Sequence, residues 1–231
     1  MKILLFDIDG TLLLSGGAGR RGMEKAFEDT FEVPAALDGL TLSGMTDPLI
    51  FKNACVKHNL PYSDEKHEAF KTAYLENLPK EILKPGSNKI AMPGVHELIS
   101  KLSSMDGIQL GLLTGNYRKG AEIKLDHFNL NHYFGFGAFG DDNMDRNKLL
   151  PYAIERFKKM NGNSSNENEV WVIGDTPKDI ECARPHDAIA VAVATGEYSS
   201  EHLAEAKPDF LFNDLSNMDD FLDIIGEDHE D

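Results

Sequence analysis

The chain has 231 residues, enough for one large domain or for a core carrying a smaller inserted one. Its formal charge of -16 argues against a nucleic acid or an anionic membrane as partner, because phosphate surfaces are gripped by clustered Lys and Arg. No apolar run approaches the roughly 18 residues of a membrane span. Asp7 interrupts the N-terminal run too early for a secretory signal, and Cys55 and Cys182 read as two reduced, buried thiols. The expectation is a cytoplasmic protein, a monomer or small homo-oligomer.

Lys2 to Phe6 predicts a first strand, which ends in Asp7-Ile8-Asp9-Gly10-Thr11. Behind it comes GAGRRG, Gly17 to Gly22, a G-x-G-x-x-G spacing. A dinucleotide-binding loop puts such a spacing directly after the first strand, with a ribose-binding acid about 20 residues further on. Here DIDGT occupies that turn, and neither Asp38 nor Asp47 ends a second strand. The glycines therefore read as a joint. Three helical patterns follow without a strand: Met23 to Phe31, Pro48 to His58 and Asp64 to Leu78. They form a small all-helical insertion, residues 16–90, in a core made of residues 1–15 and 91–226, with an acidic tail at 227–231.

Beyond the insertion, strands and helices alternate. Helices are expected at Gly94 to Met105, Tyr117 to Phe128, Leu149 to Met160, Lys178 to His186 and Met218 to Ile225. Strands are expected at Ile108 to Leu113, Tyr133 to Phe139, Val170 to Ile173, Ile189 to Ala194 and Phe210 to Phe212. Asn161 to Glu169 reads as an exposed loop. This rhythm predicts an α/β fold, a Rossmann-like, mostly parallel sheet.

Ligands of such sheets collect beyond the carboxyl ends of the strands. Three strand ends are polar: Asp7 to Thr11, Thr114-Gly115-Asn116, and Gly174-Asp175-Thr176-Pro177-Lys178-Asp179. Asp7 and Asp9 project to one side of an extended chain, and Asp175 arrives from a neighbouring strand. Carboxylates crowded in this way need a shared proton or a hard cation, and Mg²⁺, with its preference for oxygen, fits Asp7, Asp9 and Asp175. Asp7 lies nearest the strand and suits attack on phosphorus, while Asp9 suits proton transfer at the leaving oxygen. Thr114 and the N–H groups of Gly115 and Asn116 suit the phosphoryl oxygens, and Arg146 or Lys148 supplies a countercharge.

These motifs resemble those of phosphatases of the haloacid dehalogenase superfamily: DIDGT the first, LLTGN the second, VIGDTPKDI the fourth, over Lys2 to Ala194. The resemblance implies a Rossmann-like core, Mg²⁺ dependence and an aspartyl-phosphate intermediate on a small phosphorylated metabolite. It makes Asp7 the nucleophile, Asp9 the acid/base, Asp175 a metal ligand and Asp179 a supporting residue. The insertion is similar to the helical cap of phosphoglycolate phosphatase-like members, and the resemblance makes the glycine stretch at its start a hinge and substrate loop, with Arg20 or Arg21 placed to meet an anionic group. Where many relatives have Lys-Pro as third motif, this chain has DRNKLLP, and counting back from Ala153 to Arg156 favours Arg146. Alternatives are a hydrolytic dehalogenase, for which Asp9 has no use, a phosphomutase, and a non-enzymatic phosphate-binding or phospho-accepting module.

Overall fold

The computed structural model describes residues 1–85, 88–161 and 168–226. The acidic tail and most of the loop expected at Asn161 to Glu169 lie outside them. Six strands form one parallel sheet in the order β5 (Phe136–Ala138), β4 (Ile108–Leu113), β1 (Lys2–Phe6), β6 (Glu169–Gly174), β7 (Ile189–Val193) and β8 (Phe210–Phe212). Lys2 is in register with both Ile108 and Glu169, so β1 sits between β4 and β6 and their carboxyl ends emerge together. The third expected strand, from Tyr133, shrinks to β5, because Asn131–Tyr133 turns into a 3-10 helix.

Both faces of the sheet are covered, and this is why its strands are continuous apolar runs. Leu4, Phe6, Trp171, Ile173 and Val191 point into one core layer, with α4 (Val95–Ser103), α5 (Arg118–His127) and α9 (Met218–Gly226). Ile3, Leu5, Val172, Ala190 and Ala192 point into the other, with α6 (Leu150–Met160), α7 (Pro177–Ala183) and α8 (Ser200–Glu205). The period of two along each strand divides neighbours between the layers. Both cysteines are free and buried. No helix among the described residues is long and apolar enough to cross a membrane.

The inserted helices are α1 (Ala18–Phe31), α2 (Asp47–Lys57) and α3 (Asp64–Leu83). They share a third apolar core, with Phe27, Phe51 and Phe70 ring to ring at 4.6–5.7 Å between centroids. α1 starts five residues earlier than its expected pattern, so most of GAGRRG is helix rather than loop. Only Gly16 and Gly17 carry the left-handed joint, at φ 61° and 78°. Gly22 serves a different purpose: a Cβ there would lie 3.2 Å from the Tyr74 ring, so its absence lets α1 and α3 approach closely. The chain enters and leaves the insertion through two short strands missing from the sequence reading, β2 (Leu13–Ser15) and β3 (Lys89–Ala91), which pair antiparallel.

Asp47 pins α2 to the strand ends. Its N–H donates to Gly115 O at 2.7 Å and its Oδ2 accepts from Tyr117 N–H at 2.7 Å. Burial raises its carboxyl to about 7, and Lys124 and the Tyr117 N–H only partly oppose this. From about pH 4 to 7 the folded chain keeps a proton that the unfolded chain releases, so this contribution to stability is lost as pH rises through 7. Asp47→Asn keeps the acceptor without the charge. Its melting temperature relative to wild type should therefore be higher at pH 8 than at pH 5, as calorimetry at the two pH values would show. At the start of α4, Gly94 has φ 77°, and a Cβ would fall 1.9 Å from Leu215 O. Left-handed strain alone costs about 1–2 kcal/mol. With the clash added, Gly94→Ala should lower the melting temperature by about 5–10 °C.

Candidate active site

The loops after β1, β4 and β6 line a cleft of about 580 Å³ beneath the inserted helices. Asp7, Asp9, Thr114, Gly115, Asn116, Arg146 and Asp175 all line it. Asp7, Asp175 and Asp179 each bring one carboxylate oxygen to within 4.8 Å of the others, and all three are buried. Burial raises the Asp7 carboxyl to about 6, with the Arg146 guanidinium opposing it, and lifts Asp175 well above the usual range, reinforced by Asp179 and Asp7. Two glycines make room for Asp175. A Cβ on Gly10 would lie 2.3 Å, and one on Gly196 1.7 Å, from its Oδ2. Thr11 Oγ1 donates to the other oxygen at 3.0 Å.

The two cations proposed from sequence separate cleanly. Arg146 is 6 % exposed, its Nη2 lies 3.1 Å from Asp7 Oδ1, and it is also paired with Asp179 Oδ1. Lys148 is exposed and reaches Asp145 at 3.7 Å. The side chain of Arg146 turns inward because a 3-10 turn, Arg146–Lys148, capped by Asp145, sets the two residues on opposite sides. Asp179 spends its remaining oxygen on the start of α7, where Thr176 N–H and Thr176 Oγ1 donate to Oδ2 at 3.0 and 2.7 Å. With both its oxygens engaged, Asp179 spaces the site, leaving Asp7 and Asp175 as the carboxylates facing the cleft.

Asp9 stands apart from this cluster. Its Oδ2 accepts from Asn116 Nδ2 at 2.8 Å and from Lys124 Nζ at 2.6 Å. Asn116 Nδ2 also reaches Thr114 Oγ1 at 2.8 Å, so Asp9, Lys124, Asn116 and Thr114 form one hydrogen-bonded group. Gly115 has to be glycine, since a Cβ would meet Met45 O at 2.2 Å. Lys124, 4 % exposed, is absent from the sequence reading. Its signal is a lysine on the buried face of α5, in step with Tyr117, Gly120 and Ala121.

The two arginines of the glycine stretch take unlike places. Arg20 lines the cleft but is held by Glu24 at 2.9 Å and Asp38 at 2.8 Å. Arg21 faces away, bridging Glu81 Oε2 at 3.0 Å and Gly16 O at 2.7 Å. The cleft wall on the side of the insertion is largely apolar, with Met23, Leu42, Met45 and Ile50. The contrast between the cations is measurable. Arg146→Met strands two buried carboxylates and should cost about 3–5 kcal/mol, whereas Lys148→Met should stay within about 0.5 kcal/mol in urea unfolding.

The chain also matches known proteins over most of its length. The chain is 24% identical over 218 residues to a phosphoglycolate phosphatase of Pseudomonas syringae pv. tomato, covering 94% of this chain and 78% of that one. It is 27% identical over 228 residues to pyrophosphatase PpaX of Listeria monocytogenes, covering 96% and 95%. Among solved structures, a hydrolase from Pseudomonas syringae superposes with a TM-score of 0.70 at 22% identity, covering 98% of this chain and 100% of that one. The family model for haloacid dehalogenase-like hydrolases matches residues 4–193, from β1 through the last residue of β7. The chain belongs to the haloacid dehalogenase-like hydrolase family and is an enzyme of that hydrolytic class.

Proposed function

We propose that this enzyme is a Mg²⁺-dependent phosphatase that hydrolyses a small phosphorylated metabolite through an aspartyl-phosphate on Asp7. The observation that carries the reading is the division of the carboxylates. Asp7 lies beside the Arg146 guanidinium, whereas Asp9, also lining the cleft, is held by Lys124 and Asn116. Two relatives named as phosphatases, for phosphoglycolate and pyrophosphate, support the same reaction class.

The donor set fits a hard cation: Asp7 and Asp175 present buried oxygens, and burial first, then the neighbouring carboxylates, raises their affinity for protons, a cost that a bound cation would offset. Asp7 and Asp175 would hold Mg²⁺ by carboxylate, next to Asp9 in the same turn, and the ion would withdraw charge from the phosphoryl oxygens. Thr114, Gly115 and Asn116 bind the phosphoryl group from the β4 end, and Arg146 keeps Asp7 oriented for attack. An Asp7 oxygen bonds to phosphorus as the bond to the leaving oxygen breaks, and Asp9 gives that oxygen its proton. Asp9 then takes a proton from water as the water oxygen attacks phosphorus, and Asp7 departs as free carboxylate. The apolar wall of Met23, Leu42, Met45 and Ile50 keeps other water from the intermediate.

A dehalogenase would have no leaving oxygen for Asp9 to protonate, and the buried bonds of Asp9 to Lys124 and Asn116 show a second carboxylate actively held in the cleft. The test is phosphate release from 4-nitrophenyl phosphate with Mg²⁺. Wild type should release phosphate, chelator should stop it, and Asp7→Asn should lose at least about 10³-fold in kcat. Full activity in Asp7→Asn would remove Asp7 as nucleophile, and halide release without phosphate release would favour the dehalogenase.

A further inference from the structure

Lys124 is a buried ammonium on an otherwise apolar helix face, where a leucine would pack at lower cost. Its side chain is 5% exposed, yet the Asp9 carboxylate that it grips at 2.6 Å is 41% exposed within the cleft. Its second bond, to Asn116 Oδ1 at 2.6 Å, closes a ring, since Asn116 Nδ2 donates to the same Asp9 oxygen. Both contacts to Asp9 fall on Oδ2, and among the described residues Oδ1 takes none. The insertion also makes space for Lys124. A Cβ on Gly19 of α1 would lie 3.3 Å from Nζ and 3.5 Å from Cε.

Resting on the phosphatase reading above, we propose that Lys124 is a positioning residue for Asp9. With Asn116 it clamps Oδ2, so that Oδ1 is the oxygen aimed at the leaving group and carries the transferred proton. A carboxylate held at one oxygen has a single productive orientation, and that orientation matters in proportion to how much the leaving oxygen needs a proton. Lys124 itself neither gives nor takes the proton.

This sets Lys124 apart from a residue that merely supports the fold. Phenyl phosphates from 4-nitro to 4-methoxy span good to poor leaving groups while leaving the phosphoryl contacts alone. With Mg²⁺ present, Lys124→Met should lower kcat less than about 5-fold on the 4-nitro ester but about 10²-fold on the 4-methoxy ester, the scale of general acid catalysis. Placed on Asp9→Asn, the same substitution should add almost nothing, because the group that it positions is gone. Lys124→Gln, which keeps one donor, should fall between wild type and Lys124→Met, and it carries the test should the methionine variant fail to fold. Equal losses across the esters, or a full additive loss on Asp9→Asn, would overturn the assignment while leaving the phosphatase reading intact. A wild-type protein that hydrolyses none of the esters would overturn both.

Discussion

The guanidinium of Arg146 between Asp7 and Asp179 is the contact on which the rest of the site depends. Asp7, Asp175 and Asp179 are buried within a few ångströms of one another, an arrangement that mutual repulsion would otherwise break. One cation set against two of them lowers that cost, and the same contact ties together three pieces of chain. Arg146 comes from the turn before α6, Asp7 from the end of β1, and Asp179 from the first turn of α7. The Arg146 carbonyl in turn accepts from Cys182 Sγ at 3.2 Å, so α7 is fixed to the turn at both ends. Charge neutralisation and the docking of helices are here one structural event.

The second cation has a different part. Arg146 lies beyond the carboxyl ends of the strands, next to Asp7, whereas Lys124 comes in from the flank on α5, against the inserted α1. The cleft therefore separates two carboxylates by giving each its own countercharge, Arg146 beside Asp7 and Lys124 beside Asp9. Such a separation is what lets two like groups take unlike chemical roles. Tyr74 adds a contact from the insertion: its ring lies against Gly22 and Gly120, between α1 and α5, with its hydroxyl buried and unpartnered. Gly19 and Gly22 of GAGRRG thus serve helix packing, bringing the insertion down toward Lys124 and Asp9.

What was legible in the sequence follows from how local each feature is. Asp7, Asp9 and Asp175 stand at strand ends, and a strand's end can be read from its own few residues; the same holds for the six sheet strands and most helices. The preference for Arg146 over Lys148 came through the family resemblance, by counting back from the helix around Ala153, because the 3-10 turn that sets the two side chains apart leaves no local pattern of its own. The hairpin of β2 and β3 was not legible, since two three-residue strands far apart in the chain carry no internal pattern. Nor was the role of Gly19 and Gly22, which depends on Lys124 and Tyr74, residues from helices well removed in sequence. The G-x-G-x-x-G spacing reports only that side chains are absent, and what fills the space is a tertiary question.

The same locality explains how the insertion connects to the chemistry. Gly16 and Gly17 supply the backbone freedom at the joint, but Arg21 restrains it, bridging Gly16 O and the Glu81 side chain near the end of α3. The joint, α1 and α3 are therefore bound into one piece, and β3 pairs with β2 just beside it. A shift of that piece relative to the sheet must be felt at Gly19 and Tyr74, and so at Lys124 and Asp9, before it reaches Asp7. Asp7 sits at the end of β1, and Asp9 sits where the two halves touch. Closure over a substrate would thus bear first on the carboxylate whose orientation matters most to a poor leaving group.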